Sequence, residues 1–329
     1  MSPFLSDLLL ISLALTCCVL ADLPDGPSDS MDERFDNLHW LDLNGGLNNL
    51  SYQAYTVAQW AFGTVPQACF DMAGDRQCDP HELEVFDVNY SDAKYTKVIC
   101  RCTDSPMQIW DIADDIGRVP VKARQWINYV GSFNAPDCSA YSGANHITIL
   151  GNCAERASVT IHEVAHSLDG WAVYKGNGAQ YSATREWKRT VGKDTCVPDN
   201  YAKSRWSESW AQVAVLAAYH FNVGSIWDLD GGVECMRGQM EKVIQQLEGV
   251  LTFREADRCD RHWPEDPTVC MGDRAISEGL CEGLEVITTV ERYPALDPEV
   301  QRGIEEDENS RMRHAEEESG LVVARKFKA

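Results

Sequence analysis

The chain has 329 residues, 44% of them hydrophobic, with 10 tryptophans and a formal net charge of −22. That much apolar and aromatic side chain excludes a disordered protein, and the negative charge excludes nucleic-acid backbones and anionic membrane surfaces as partners. The length allows one large domain or two modest ones.

Residues 1–21 read as a secretory signal peptide. The apolar run from Leu8 to Leu20 is too short to span a bilayer, and Val19-Leu20-Ala21 offers a small-residue cleavage site. The segment before the run has no Lys or Arg and contains Asp7, so an apolar N-terminal anchor or a first strand is the competing reading. A secreted, extracellular protein is expected, and the cysteines agree. Of 13, Cys17 and Cys18 would leave with the signal, and the wide scatter of the other eleven suits disulfides. An odd number leaves one thiol free or bonded to another chain. Cys100 and Cys102 share one face of a strand and should take different partners. Asn49-Leu50-Ser51 and Asn89-Tyr90-Ser91 are N-glycosylation acceptors, which makes a glycoprotein the expectation.

Residues 22–50 form a loop-rich lead-in, marked by Asn44-Gly45-Gly46 and Asn48-Asn49. Tyr52, Tyr55, Ala58 and Phe62 fall at helical spacing and predict a helix over 51–62, stopped by Gly63. Leu83–Val88 and Tyr95–Cys100 predict a hairpin around Asn89–Lys94. Residues 107–130 read as helix in pieces, broken by Gly117 and Pro120. His146–Leu150 is a short strand, and a helix follows through Ala157, Ile161, Val164, Ala165 and Leu168, with Gly170 as its stop. After a loop-rich stretch over 171–199 comes a helix from about residue 200 to 219, apolar on nearly every side and therefore buried. Residues 233–251 form another amphipathic helix, Cys259–Cys281 a disulfide-tied cap, and residues 296–329 a charged, solvated tail. Strands ahead of a helical half give an α+β, disulfide-stabilised domain over residues 51–295.

The chemistry concentrates in His162-Glu163-Val164-Ala165-His166, the pattern H-E-x-x-H. Residues four apart share a helical face, so His162 and His166 can offer imidazole nitrogens to one Zn2+. Glu163 falls beside the ion, where a general base for a zinc-bound water belongs. Glu208 is the only carboxylate between Arg205 and His220 in the apolar helix. A buried carboxylate needs a cation or a shifted pKa, so Glu208 is the candidate third ligand, with an ion pair to Arg205 as its alternative. His146 is a further possible ligand or a plain strand-end histidine. Asp169 either orients a ligand imidazole or is a helix-end carboxylate in water.

Third-ligand placement sorts zinc peptidases. With Asp169 and Ala172, the chain lacks the Gly and His of the metzincin extension. A downstream Glu is the gluzincin arrangement, and H-E-x-x-H-x-x-D followed by Tyr201, seven residues before Glu208, resembles the catalytic domain of anthrax lethal factor and its relatives. The likeness covers about residues 146–220. It implies a zincin-like metalloprotease domain in which His162, His166 and Glu208 bind zinc, Glu163 activates water and Tyr201 stabilises the oxyanion. It also implies a strand at 146–150 that borders the cleft and pairs with an extended substrate. The expectation is a secreted zinc metalloendopeptidase acting on a peptide or protein substrate. One departure stands out: Gln212 occupies the position, one turn after the ligand Glu, where that family has an acidic side chain. The segment Met31–Asp36 is similar to fungal conidiation-specific secreted proteins, and the alternative function is a secreted surface or developmental protein with a retained, non-catalytic zinc site.

Overall fold

The computed structural model describes residues 25–287, apart from 62, 77, 80, 81, 144, 175–177 and 230. The expected signal peptide and the charged tail lie outside the described residues. In chain order the elements are β1 (Asp32–Glu33), β2 (Tyr55–Gln59), β3 (Thr64–Pro66), α1 (Gln67–Asp75), β4 (Leu83–Tyr90), β5 (Lys97–Cys102), α2 (Ile109–Arg118) and α3 (Val121–Arg124). They continue with β6 (Tyr129–Phe133), β7 (Ser139–Gly143), β8 (His146–Leu150), α4 (Ala157–Ser167), α5 (Arg185–Val191), β9 (Cys196–Val197), α6 (Trp206–Asn222), α7 (Arg237–Leu251), β10 (Thr268–Met271), α8 (Gly272–Ser277) and β11 (Glu285–Ile287). The result is a mixed α/β fold with strands gathered in the first half and long helices in the second.

A six-stranded sheet in the order β2-β4-β5-β6-β8-β7 organises the molecule. Side chains alternate across a strand, and here both faces are covered. Phe86, Val88, Tyr90, Ile99, Val130, Ile147 and Ile149 enter the core shared with α2, α4 and α6. Leu83, Val85, Cys100, Cys102, Tyr129 and Phe133 enter a second core with α1 and β10. Two disulfides, Cys69–Cys100 and Cys78–Cys102, fasten α1 and the turn after it to β5 on that second face. Cys100 and Cys102 therefore take different partners, as their shared face required. Three more bridges, Cys138–Cys153, Cys196–Cys235 and Cys270–Cys281, leave Cys259 buried and free. Among the described residues, no helix is long and apolar enough to cross a membrane.

The hairpin forms as β4 and β5 in antiparallel register, and the helix pieces after residue 107 break at Val119–Pro120. Within the segment predicted as helix over 51–62, Tyr55–Gln59 instead form the edge strand β2, antiparallel to β4. Its period is two, with Tyr55 and Val57 packed on the main core and Thr56 and Ala58 outside. The helical spacing of its aromatics is a coincidence that an exposed edge tolerates. The stretch 171–199 holds α5 and β9 in addition to loops. The lead-in is integral to the domain: Leu38, Leu41 and Leu47 are buried in the main core.

Candidate metal centre

α4 begins without a side-chain cap of its own at Arg156. The lead-in supplies one. Asp42 accepts from the Ser158 backbone N–H at 2.8 Å and from its hydroxyl at 2.5 Å, and Asn48 Oδ1 accepts from the Ala157 N–H at 3.0 Å. Orphan donors at the first turn are thereby satisfied. The helix then runs past Ser167 into a π-helical turn, Leu168–Val173, so Gly170 does not stop it. Asp169, fully buried there, accepts from Ser182 N–H and Oγ–H at 2.9 and 2.5 Å. It ties the π turn to the next loop and is no solvent-facing carboxylate, and its charge contributes to raising His166.

His162 and His166 lie one above the other on α4, ring centroids 4.8 Å apart. α6 crosses α4 and brings Glu208, in its first turn, against them. Glu208 Oε2 is 2.8 Å from His162 Nε2 and 3.2 Å from His166 Nε2, and the two Nε2 atoms are 3.1 Å apart. Oε1 takes a long 3.5 Å contact from Ser207, so Glu208 serves the imidazoles rather than Arg205. Zinc–ligand distances of about 2.0–2.1 Å imply edges of about 3.3 Å in a tetrahedral site, close to the triangle formed here. Among the described residues no other His, Cys, Asp or Glu joins this group, which removes His146 as a ligand. That ring stands against Gly143 instead, where a Cβ would come within 2.6 Å of its Nε2.

Electrostatics match the geometry. Burial works against a charge on His166, yet the Glu208 carboxylate prevails and pushes its pKa up to about 9. Burial likewise opposes ionisation of Glu208, and the two imidazoles outweigh it, holding Glu208 well below the usual carboxylate range. Three acceptor-capable atoms thus converge on one point that demands a cation, either a shared proton or a metal ion. Glu163 is buried on the same helix, and its charge contributes to raising His166. The half-buried Tyr201 ring, in a 3₁₀ turn just ahead of α6, lies 5.6 Å from the His162 ring. Tyr201 is at the site and not a surface side chain.

Two residues of the site escaped the sequence reading as partners. Gln212 Oε1 lies 3.0 Å from His162 Nδ1, and Gln212 Nε2 donates to Asp199 Oδ2 at 2.6 Å. Gln212 did carry a signal, its place one turn after Glu208 where the resemblance puts an acidic side chain; Asp199 carries no local signal. Beside His166 opens a cleft of about 270 Å³, walled by Ser142, Ser167, Trp171 and Gln180. Its rim strand is β7, because β8 is covered on both sides by β6 and β7. The expected substrate-pairing role of the 146–150 strand is therefore closed off.

The family of the Conidiation-specific protein Con-13 matches residues 33–313 of this chain. The chain belongs to that family. It is 41% identical to Conidiation-specific protein 13 of Neurospora crassa over 314 residues, covering 94% of this chain and 92% of that protein. No solved structure matches it. These findings overturn the assignment to the gluzincin peptidases and to the lethal factor type. They overturn with it the zinc endopeptidase, hydrolase and metalloprotease readings. The reason is one of extent. The peptidase likeness rests on a few fixed positions within residues 146–220, a constellation that unrelated chains reach independently, whereas the Con-13 likeness runs through nearly the whole chain.

Proposed function

We propose that this chain is a secreted developmental protein of conidiation whose His162, His166 and Glu208 hold a zinc ion without turning over a substrate. The relative's name supports the developmental role. Five disulfides fit an oxidising, extracellular setting. The observation that carries the metal reading is the convergence of two Nε2 atoms and one carboxylate oxygen within 3.2 Å of one another. Two imidazoles and a carboxylate are a donor set suited to Zn2+. Bound there, the ion would tie α4 to α6 and neutralise the buried Glu208. Glu163 and Tyr201 then belong to the surroundings of the site.

The test is the metal content of the mature protein after zinc loading and desalting, measured by plasma mass spectrometry. One zinc per wild-type chain is expected, and Glu208→Ala should fall well below that stoichiometry. A wild-type chain that takes up no zinc would sink the metal reading and leave a proton shared between His166 and Glu208 in its place.

A further inference from the structure

We propose that Asp199 and Gln212 are positioning residues that fix His162 in its metal-binding tautomer, through a carboxylate–amide–imidazole relay. The inference rests on the zinc reading for its consequence, though not for its geometry. Both residues are buried, Asp199 at 3% and Gln212 at 8% exposure, so water does not compete for their polar atoms. Asp199 Oδ1 accepts from the Ala202 N–H at 3.0 Å, and Oδ2 faces Gln212 Nε2 at 2.6 Å. A carboxylate only accepts, so the amide must turn its NH2 toward Asp199; the opposite orientation would set two acceptors against each other at that distance. Its carbonyl oxygen is then left facing His162 Nδ1 at 3.0 Å. An oxygen there requires Nδ1 to carry the hydrogen, which leaves Nε2 as the nitrogen whose lone pair a metal can take. That nitrogen is the one directed at His166 and Glu208.

The polarity of the whole relay follows from one charged group. Asp199 is anchored by the turn that also carries Tyr201, 13 residues before Gln212, and is set independently of any ion. Metal-bound histidines commonly donate their other ring N–H to such a partner, and removing it weakens metal binding about 10–100-fold.

Asp199→Asn inverts the relay with almost no change of shape. The Ala202 N–H holds the asparagine oxygen, so its NH2 faces Gln212, which flips and presents its own NH2 to His162. Nδ1 must then accept, and the hydrogen moves to Nε2, where it blocks the metal. Adding Gln212→Glu restores the original polarity, because a carboxylate accepts both from the asparagine NH2 and from the Nδ1–H.

The experiment measures zinc dissociation constants by competition with a chromophoric chelator. Imidazole ¹⁵N shifts of His162, recorded on the metal-free proteins, give the tautomer. Asp199→Asn and Gln212→Met should each bind zinc about 10–100-fold more weakly than wild type. In the metal-free wild type Nδ1 should carry a proton, whatever proton Nε2 shares with Glu208 at 2.8 Å; in Asp199→Asn Nδ1 should be bare, and the double variant Asp199→Asn/Gln212→Glu should recover both the Nδ1 proton and most of the affinity. Wild-type affinity in Asp199→Asn, or a bare Nδ1 in the metal-free wild type, would overturn the relay while leaving the zinc site standing. A wild type that binds no zinc fails the metal reading alone, and the ¹⁵N shifts still decide the relay. Gln212→Met covers the case in which Asp199→Asn does not fold.

Discussion

Asp42 is 116 residues away from Ser158 in sequence, yet it does the work of an N-cap for α4. Its burial is costly and pushes its own pKa up to about 6, so its net worth is that of a cap and not of a full charge–dipole pair. Asp42→Ala leaves the Ser158 N–H without its acceptor, and a lost cap costs about 1–2 kcal/mol. In a domain of this size that is a fall of a few degrees in Tm. Asp42→Asn, whose oxygen can still accept, should recover part of it, as a thermal melt of the metal-free proteins would show. An unchanged melt in Asp42→Ala would mean that Asn48 alone suffices to start the helix. Asp42 and Asp199 were invisible in the sequence for one reason: each acts on a partner that only the fold brings near. His162 and His166 were legible because one helical turn contains both. Glu208 was legible because an isolated carboxylate in an apolar helix must find a cation.

At the level of elements, burial alone did not decide legibility: β6, buried along its whole length in the middle of the sheet, overlaps the stretch read as helix in pieces and was not anticipated, because Gly131 and Ser132 break its apolar run. β4, β5 and β8 are covered on both faces and read as strands because no surface constraint blurred their apolar runs. β2 and β7 lie at the two edges of the sheet, where half-exposed residues leave a weak pattern; β2 was misread and β7 was not anticipated. The π-helical turn after α4 has no residue signature and arises where Asp169 reaches Ser182. The free edge of β7 is held by Cys138–Cys153, which ties the chain just before β7 to the turn ahead of α4. The bridge closes a sequence separation of 15, for which chain entropy gives about 3 kcal/mol. Replacing both cysteines by Ser should lower stability in denaturant by about that amount. Zinc stoichiometry should stay the same, because neither sulfur belongs to the ligand triangle. Loss of zinc from a double variant that remains folded would bring the β7 edge into the metal site and contradict the three-ligand assignment.

On the scale of the whole molecule, extent of likeness decided the family and charge governs the response to pH. Burial raises five carboxyls: Asp42 and Asp199 to about 6, Asp115 to about 7, and Asp75 and Asp169 in the same direction. Between about pH 4 and those values the folded chain keeps protons that an unfolded chain, with ordinary carboxyls near pKa 4, has released. A folded state that binds more protons loses stability as pH rises. His166 has the same sign. Its pKa is pushed up to about 9, so the proton is held in the folded state from about pH 6.5 upward, and its stabilisation disappears as pH climbs through 9. A formal charge of −22 adds self-repulsion that acid relieves. Glu208, His146 and Lys97 have the opposite sign. Glu208 is so far depressed that its contribution is lost only in stronger acid. Burial lowers His146 so that its cost disappears as pH rises toward 6.5, and burial lowers Lys97 to about 8 so that its cost declines only above that pH. With chelator present, Tm should therefore be highest near pH 5 and fall toward pH 8. Zinc held as proposed would reverse the trend at the site, because it must displace the His166 proton: its stabilising increment should be largest at pH 8–9 and vanish toward pH 5. Melting curves with chelator and with excess zinc should accordingly converge in acid and separate in base. A metal-free Tm that rises from pH 5 to pH 8 would show that these buried groups do not hold their protons in the native state.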